Sequence, residues 1–384
     1  MRKICIVVTA RPSYSRIKSV MKAVQERSDM KLQLVVAASA LLERYGSAVN
    51  YMKADGFNPD ELVYMVLEGG NLVTTAKSTG LGIVELSTVF DNLKPDLVIS
   101  VADRYETIAT AIAASYSNIP LAHIQGGEVT GSIDEKVRHA VTKLADLHFV
   151  SNDDAYKRVE KMGEEPKKIF NTGCPSIDLA AKVLNESIKN FDPFNLIEKG
   201  VGAPFSIKDD YLVVMQHPVT TGYTESLKQI NESLEAINQL KMPTFWFWPN
   251  VDAGSDKISK GIRVFREKNK TSFIYFFKNM SPENFLRLLI NSKCLIGNSS
   301  VGIRECSFLG VPVVNIGDRQ TGRLRGSNVI DVKYNRNEIV DAIIKQLKNG
   351  FYSSENVYGN GTAGKKIAEY LSKIDLTIEK RITY

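Results

Sequence analysis

Charged and polar side chains gather directly after the short apolar runs of this sequence, where a strand would hand over to a loop. After Ile4–Thr9 come Arg11, Pro12, Ser13, Ser15 and Arg16. Proline suits the first turn of a helix, and a helix start with an arginine beside it attracts anions. The plainer alternative is a surface arginine at a helix start. After Leu97–Val101 come Asp103, Arg104 and Glu106, two acids and a base within four residues. Asp103 is either a functional acid or a helix N-cap. After Leu121–Ile124 come Gln125, Gly126, Gly127 and Glu128, then Gly131, Asp134 and Glu135. The glycines permit tight turns and close ligand approach. Dipole complementarity at the start of the next helix accounts for Asp134 and Glu135 without a ligand. Glu128 lies outside that helix and has no such explanation.

The second half repeats the arrangement. His217 ends the run Tyr211–Gln216, just before Pro218, and reads either as structural or as catalytic. The segment WFWP leads into Asn250, Asp252, Gly254 and Ser255, with Trp246, Phe247 and Trp248 read as core. The segment GNSSVGIRE, Gly297 to Glu305, follows an apolar run and opens a helix. Ser299, Ser300 and Gly302 there offer hydroxyls and bare backbone N–H groups, the chemistry of a phosphate cradle. An ordinary helix start built from small residues is the alternative. A carboxylate at Glu305 would repel phosphate but suits vicinal ribose hydroxyls. Arg319 and Arg323 add cations to the same rim.

Positioning these groups requires strands. Candidates in the first half are Ile4–Thr9, Leu32–Ala38, Leu62–Val66, Leu97–Val101, Leu121–Ile124 and Leu147–Val150. In the second half they are Tyr211–Gln216, Thr244–Trp248, Phe273–Phe277, Cys294–Gly297 and Val311–Ile316. Amphipathic stretches separate them, including Arg16–Gln25, Glu135–Leu144, Glu225–Leu240, Asp256–Lys268 and Pro282–Asn291. Continuous apolar strands alternating with helices predict parallel sheets covered on both faces. The rhythm breaks between Leu184 and Lys208. The expected organisation is therefore two doubly wound α/β domains, residues 1–184 and 205–361. A C-terminal helical segment within 362–384, clearest over Thr362–Lys373, would pack back on the first domain. Ligands in such sheets bind at the carboxyl ends of the strands.

The 384 residues are 43% hydrophobic and 24% charged, ordinary globular usage. The net charge of +6 is mild and no basic run resembles a nucleic-acid arm. Cys5, Cys174, Cys294 and Cys306 form no CxxC pair, so no metal site is expected from them. The N-terminal apolar run is too short for a signal peptide, and no stretch of about 18 apolar residues would span a membrane. A cytoplasmic location is expected. There is no GxGxxG after the first strand, no Walker loop and no GxSxG elbow. The ligand that fits is anionic and rich in hydroxyls, as a nucleotide sugar is.

Taken in order, ARPSYSR, ADRYET, HIQGGEVTGSIDEKVRHAVTKLADLHFVSN, QHP, NVDAG, GNSSVGIREC and RQTGR cover essentially the whole chain. In this series the sequence resembles the UDP-N-acetylglucosamine 2-epimerases, and HIQGGE followed by IDE-x-x-RHA resembles their hydrolysing branch. The resemblance implies two Rossmann-like domains in the glycosyltransferase-B arrangement, with the substrate in the cleft between them. It implies conversion of UDP-N-acetylglucosamine and water to N-acetylmannosamine and UDP, the entry to sialic or related nonulosonic acids. The route is elimination of UDP to a 2-acetamidoglucal, then rehydration, with no cofactor and no metal. Asp103, Glu128 and Asp134 match the family's catalytic acids, and His217 its histidine. Arg11, Ser299, Ser300 and Gly302 carry over as diphosphate contacts and Glu305 as the ribose ligand. Ser13, Ser15, Arg104, Glu106, Asn250 and Arg323 are further substrate contacts. The resemblance also implies a homodimer or homotetramer.

Two positions depart from the family pattern. Ser13 stands where many members carry an acid, and Ala102 where many carry glycine. Ser13 alters a polar contact near the sugar. This leaves a rival substrate, N,N′-diacetylbacillosamine carried on UDP or GDP. A non-hydrolysing 2-epimerase, a glycosyltransferase and a non-catalytic nucleotide-sugar sensor are the remaining alternatives.

Overall fold

A computed structural model of the chain describes all residues except 69–70, 102, 131–133, 187–190, 197–199, 220–223, 250–253 and 384, and the side chain of residue 44. The chain divides into two compact units. One holds most of the chain up to Leu179 and the segment from Tyr358 onward; the other holds Ala180–Val357.

The first unit is built on seven parallel strands: β1 (Arg2–Val8), β2 (Met30–Ala37), β3 (Glu61–Val63), β4 (Leu97–Val101), β5 (Leu121–Ile124), β6 (Leu147–Val150) and β7 (Ile169–Asn171). Their order is β3-β2-β1-β4-β5-β6-β7. The order reverses between β1 and β4, which pair Ile4 with Leu97 and Ile6 with Ile99. That reversal is where doubly wound sheets place ligands. β4, β5 and β6 are buried along their whole length, as sheets covered on both faces require. The connecting helices are α1 (Arg11–Ser15), α2 (Lys18–Gln25), α3 (Ala48–Ala54), α4 (Leu72–Leu93), α5 (Thr107–Tyr116), α6 (Asp134–Leu144) and α7 (Asp153–Lys161), and the chain leaves the unit within α8 (Pro175–Asn185).

The second unit carries six parallel strands: β8 (Leu212–Met215), β9 (Thr244–Phe247), β10 (Ile274–Phe277), β11 (Cys294–Gly297), β12 (Val313–Ile316) and β13 (Val329–Val332). Their order, β10-β9-β8-β11-β12-β13, reverses between β8 and β11. Its helices are α9 (Ser226–Leu240), α10 (Ser255–Lys268), α11 (Pro282–Ile290), α12 (Ser300–Ile303), α13 (Glu305–Leu309) and α14 (Arg336–Asn349). Trp246 is fully buried in the core beside Phe276 and Ile262.

The returning segment forms α15 (Ala363–Lys373), whose Ile367, Ala368 and Leu371 share a core with Val20, Met21 and Val24 of α2. The helix stops at Lys373 and does not extend to 384. The remainder runs on in irregular structure, with Thr383 N–H donating to the Gly163 carbonyl at 2.9 Å. β7, β13 and the 22-residue α4 are additions to the sequence expectation. β7 is a three-residue edge strand and β13 is only half buried, so neither shows an apolar run. α4 carries Gly80, Gly82 and several β-branched residues, which weaken its helical signal.

Candidate active site

In the first unit, α1 begins directly beyond β1. Ser13 is buried and its hydroxyl makes no hydrogen bond among the described residues. The Ser15 hydroxyl donates back to the Pro12 carbonyl at 3.0 Å, so it is engaged within its own helix. Burial, opposed by Tyr51 and reinforced by the Arg104 charge, brings the Arg11 pKa down to about 10. Two cations drawn together in this way favour an anion beside them.

Beyond β4, Arg104 Nε donates to Glu106 Oε1 at 3.0 Å, and Glu106 is fully buried. Its second oxygen, Oε2, has no hydrogen bond among the described residues. Asp103 is buried and ion-paired with Arg138 of α6, and Arg16 Nη1 stands 3.7 Å from Asp103 Oδ1.

Arg138 is the hub of this unit. Its side chain is 1% exposed. Its Nη2 meets Asp103, while Nη1 donates to the Glu128 carbonyl at 2.7 Å and to Glu135 Oε2 at 3.0 Å. Burial works against the guanidinium charge, but Asp103, Glu128 and Glu135 outweigh it and hold its pKa above the ordinary value. The Glu128 carboxylate accepts from Ser151 Oγ at 2.6 Å. Gly127 precedes it at φ +74°, and an added Cβ there would lie 2.3 Å from the Ala155 carbonyl oxygen. The loop therefore needs glycine to bring Glu128 to this position. Asp134 opens α6, half-buried, one turn ahead of Arg138. Helical spacing puts Asp134 and Arg138 on one face.

In the second unit, β8 and β11 end side by side. The Asn298 side chain accepts from the His217 N–H at 2.7 Å and donates to the His217 carbonyl at 2.8 Å. Gly297 sits at φ +135°, and a Cβ there would lie 2.1 Å from the Met215 carbonyl oxygen. Ser299 caps α12, its hydroxyl accepting from the Val301 N–H at 3.5 Å. The Ser300 hydroxyl accepts from Arg304 Nη2 at 2.8 Å. Gly302 is buried against the sheet, where a Cβ would lie 2.9 Å from Val313 Cγ1. The single helix expected from Ser299 through Glu305 is two short pieces that break at Arg304 (φ −99°, ψ −71°). Glu305 consequently begins α13, buried, with Oε2 4.0 Å from Arg304 Nε and, among the described residues, without a hydrogen bond. The segment after β12 ties back to this place: Gln320 Nε2 and Arg319 Nη1 donate to the Asn298 carbonyl at 2.8 and 3.2 Å. Arg323 is buried, its carbonyl accepting from Arg325.

The structure thus joins Asp103 and Glu128 through Arg138, and His217 to the Gly297–Ser300 segment through Asn298. Asn250, Asp252, Gly131 and Ala102 lie outside the described residues. Arg138, Ser151 and Asn298 received no role from sequence, although Arg138 is the arginine of the IDE-x-x-RHA string and Gln320 lies in RQTGR. A signal for Arg138 was available, since it follows Asp134 and Glu135 by one helical turn. Among the described residues, no group of three His, Cys, Asp or Glu side chains is placed to hold a metal ion. None of the described helices is long and apolar enough to cross a membrane.

The sequence model described as UDP-N-acetylglucosamine 2-epimerase matches residues 22–372. The chain belongs to the UDP-N-acetylglucosamine 2-epimerase family. Among curated members, the UDP-N,N′-diacetylbacillosamine 2-epimerase (hydrolyzing) of Legionella pneumophila is 31% identical over 98% of this chain and 97% of its own. The polysialic acid biosynthesis protein P7 of Escherichia coli is 34% identical over 89% of this chain and 85% of its own. The UDP-N-acetylglucosamine 2-epimerase of Neisseria meningitidis is 27% identical over 97% and 95%. A crystal structure of a Neisseria meningitidis UDP-GlcNAc 2-epimerase bound to UDP-GlcNAc has the same fold, with a TM-score of 0.78 over 97% of this chain and 100% of that one at 20% identity. Membership makes this chain an enzyme of the UDP-sugar 2-epimerase type. The two parallel sheets are the α/β architecture of these epimerases, of glycosyltransferase-B type.

Proposed function

We propose that the protein is a hydrolysing 2-epimerase of a UDP-2-acetamido sugar, with UDP-N-acetylglucosamine as substrate and N-acetylmannosamine and UDP as products. The observation that carries this reading is the buried Arg138, which pairs with the Asp103 carboxylate, holds the backbone carbonyl of Glu128 at 2.7 Å and feels the Glu128 charge. In the first step a carboxylate of the set Asp103, Glu128 and Asp134 removes the C2 proton. The C2–H electron pair forms the C1=C2 bond, and the C1–O bond breaks to release UDP. In the second step water gives its hydroxyl to C1, and a proton returns to C2 on the opposite face. Elimination needs a base near neutral pH and rehydration needs an acid, roles that Asp103, paired with Arg138, and Glu128, held by Ser151, can divide. Arg11 and Arg104 neutralise the sugar-proximal phosphate charge. His217, Ser299, Ser300 and Arg323 hold the diphosphate, and Glu305 accepts from the ribose hydroxyls.

A second reading is favoured by one observation. The Legionella pneumophila relative and a Campylobacter jejuni relative, 32% identical over 87% of this chain, are both named as diacetylbacillosamine 2-epimerases. That sugar has the same C2 acetamido group and the same elimination chemistry.

Proton NMR in D2O tests both. Purified protein with UDP-N-acetylglucosamine is expected to yield free UDP and N-acetylmannosamine deuterated at C2. Turnover confined to the diacetylbacillosamine nucleotide would transfer the assignment to the second reading. Formation of UDP-N-acetylmannosamine without free UDP would overturn hydrolysis. Glu128→Gln should retain UDP binding and lose roughly 10²-fold or more in turnover.

A further inference from the structure

Gln125 stands directly after β5, between the strand and the glycines that lead to Glu128. It is a non-glycine residue at φ +69°, a left-handed conformation that L side chains seldom adopt. Such outliers persist where surrounding contacts hold them. Here the contacts are visible. The Gln125 N–H donates to the Phe149 carbonyl at 2.9 Å. Its side chain is buried and Nε2 donates to Cys174 Sγ at 2.8 Å. Cys174 is itself fully buried, with Sγ 3.0 Å from Ser176 Oγ. Its N–H donates at 2.7 Å to the carbonyl of Tyr358, the residue at which the chain re-enters the first unit.

The loop from Gln125 to Glu128 is thus held at both ends. Downstream, Arg158 Nη1 donates to the Gly127 carbonyl at 3.2 Å and Arg138 to that of Glu128. Upstream the hold is the glutamine–cysteine contact. A glycine would take φ +69° without strain, yet it would carry no side-chain anchor at this end of the loop. A glutamine whose amide is pinned to a fixed sulfur sets both the turn and its direction. From this we infer that Gln125 and Cys174 form a clasp that positions the Glu128 carboxylate for proton transfer. The inference rests on the catalytic reading of Glu128 given above. Both are positioning residues that act through Glu128 and not on the reacting atoms themselves.

The test uses Cys174→Ala, which removes the acceptor, and Cys174→Ser, which keeps one. Gln125→Gly is a second route, because it accepts the backbone conformation and removes the anchor. Cys174→Ala and Gln125→Gly are expected to lower kcat about tenfold, with KM and the UDP Kd within about twofold of wild type. Cys174→Ser is expected to restore most of kcat. In a Glu128→Gln background, Cys174→Ala should lower the residual rate no further, since residues acting through one group are not additive. Wild-type kcat in both Cys174→Ala and Gln125→Gly, or full additivity with Glu128→Gln, would overturn the clasp. Wild-type turnover in Glu128→Gln alone would instead overturn the reading of the site on which the clasp rests.

Discussion

Asn298 and His217 exchange two hydrogen bonds, the side-chain amide of one closing on the backbone N–H and carbonyl of the other at 2.7 and 2.8 Å. The pair ties the ends of β8 and β11 at the point where the strand order of the second unit reverses. Both residues are buried, so removing the amide strands two backbone groups away from water. Asn298→Ala is expected to cost about 2–4 kcal/mol of stability and to lower turnover by displacing His217. Calorimetric melting checks the first effect, and an unchanged Tm would remove Asn298 from this role.

Arg138→Met should separate charge from volume at the other unit. The substitution removes the close partner of buried Asp103 and leaves it the longer Arg16 contact at 3.7 Å, at an expected cost of at most about 3–5 kcal/mol. Loss of a neighbouring cation raises the pKa of a carboxylate. The base must be ionised to work, so the acid limb of the kcat/KM profile should move to higher pH by about one unit. Arg138→Lys keeps the charge but loses the two-pronged geometry and should fall between. A profile unmoved by Arg138→Met would mean that the arginine does not tune the carboxylates.

Stability at low pH should be governed by Glu164. Burial opposes its charge, but hydrogen bonds from His148, Lys143 and Lys380 prevail and draw its pKa from the ordinary 4.5 to about 2. A depressed carboxylate pKa contributes stability above the unfolded value and loses it as pH falls through the folded one. The loss should therefore run from pH 4.5 down to about 2. Its size is roughly 2–3 kcal/mol. His148 acts in the same sense from about its ordinary 6.5, because burial holds it neutral in the fold. Denaturant titrations across this range should show a flatter dependence for Glu164→Gln; an identical slope would sink the assignment.

Glu305→Ala addresses nucleotide affinity. A buried carboxylate oxygen without a hydrogen bond is suited to accept from a ligand hydroxyl. UDP binding should weaken by about tenfold, or 1.4 kcal/mol, while Tm changes little. Isothermal titration with UDP reads this directly, and unchanged affinity would take Glu305 out of the ribose site.

Much of the architecture is legible in the sequence because buried parallel strands are written as uninterrupted apolar runs. LVISV, LAHI, LHFV and CLIG lie where those runs predict, and the polar residues after them stand at the strands' carboxyl ends. The resemblance to the epimerases was equally legible, since its motifs are local strings. The short edge strands β7 and β13 were not, because partial burial leaves no apolar signature. What tertiary structure alone decided is partnership. Arg138 stands in a recognisable string, but its partners appear only when folding brings the end of β4, the glycine loop and α6 to the same guanidinium. Gln125 and Cys174 are separated by 49 residues in sequence, and nothing local marks them as partners. Backbone conformation and apolar pattern are short-range properties that a string of residues carries. A hydrogen bond or ion pair between distant residues exists only after the chain has packed, when water is excluded and each buried polar group must find its partner.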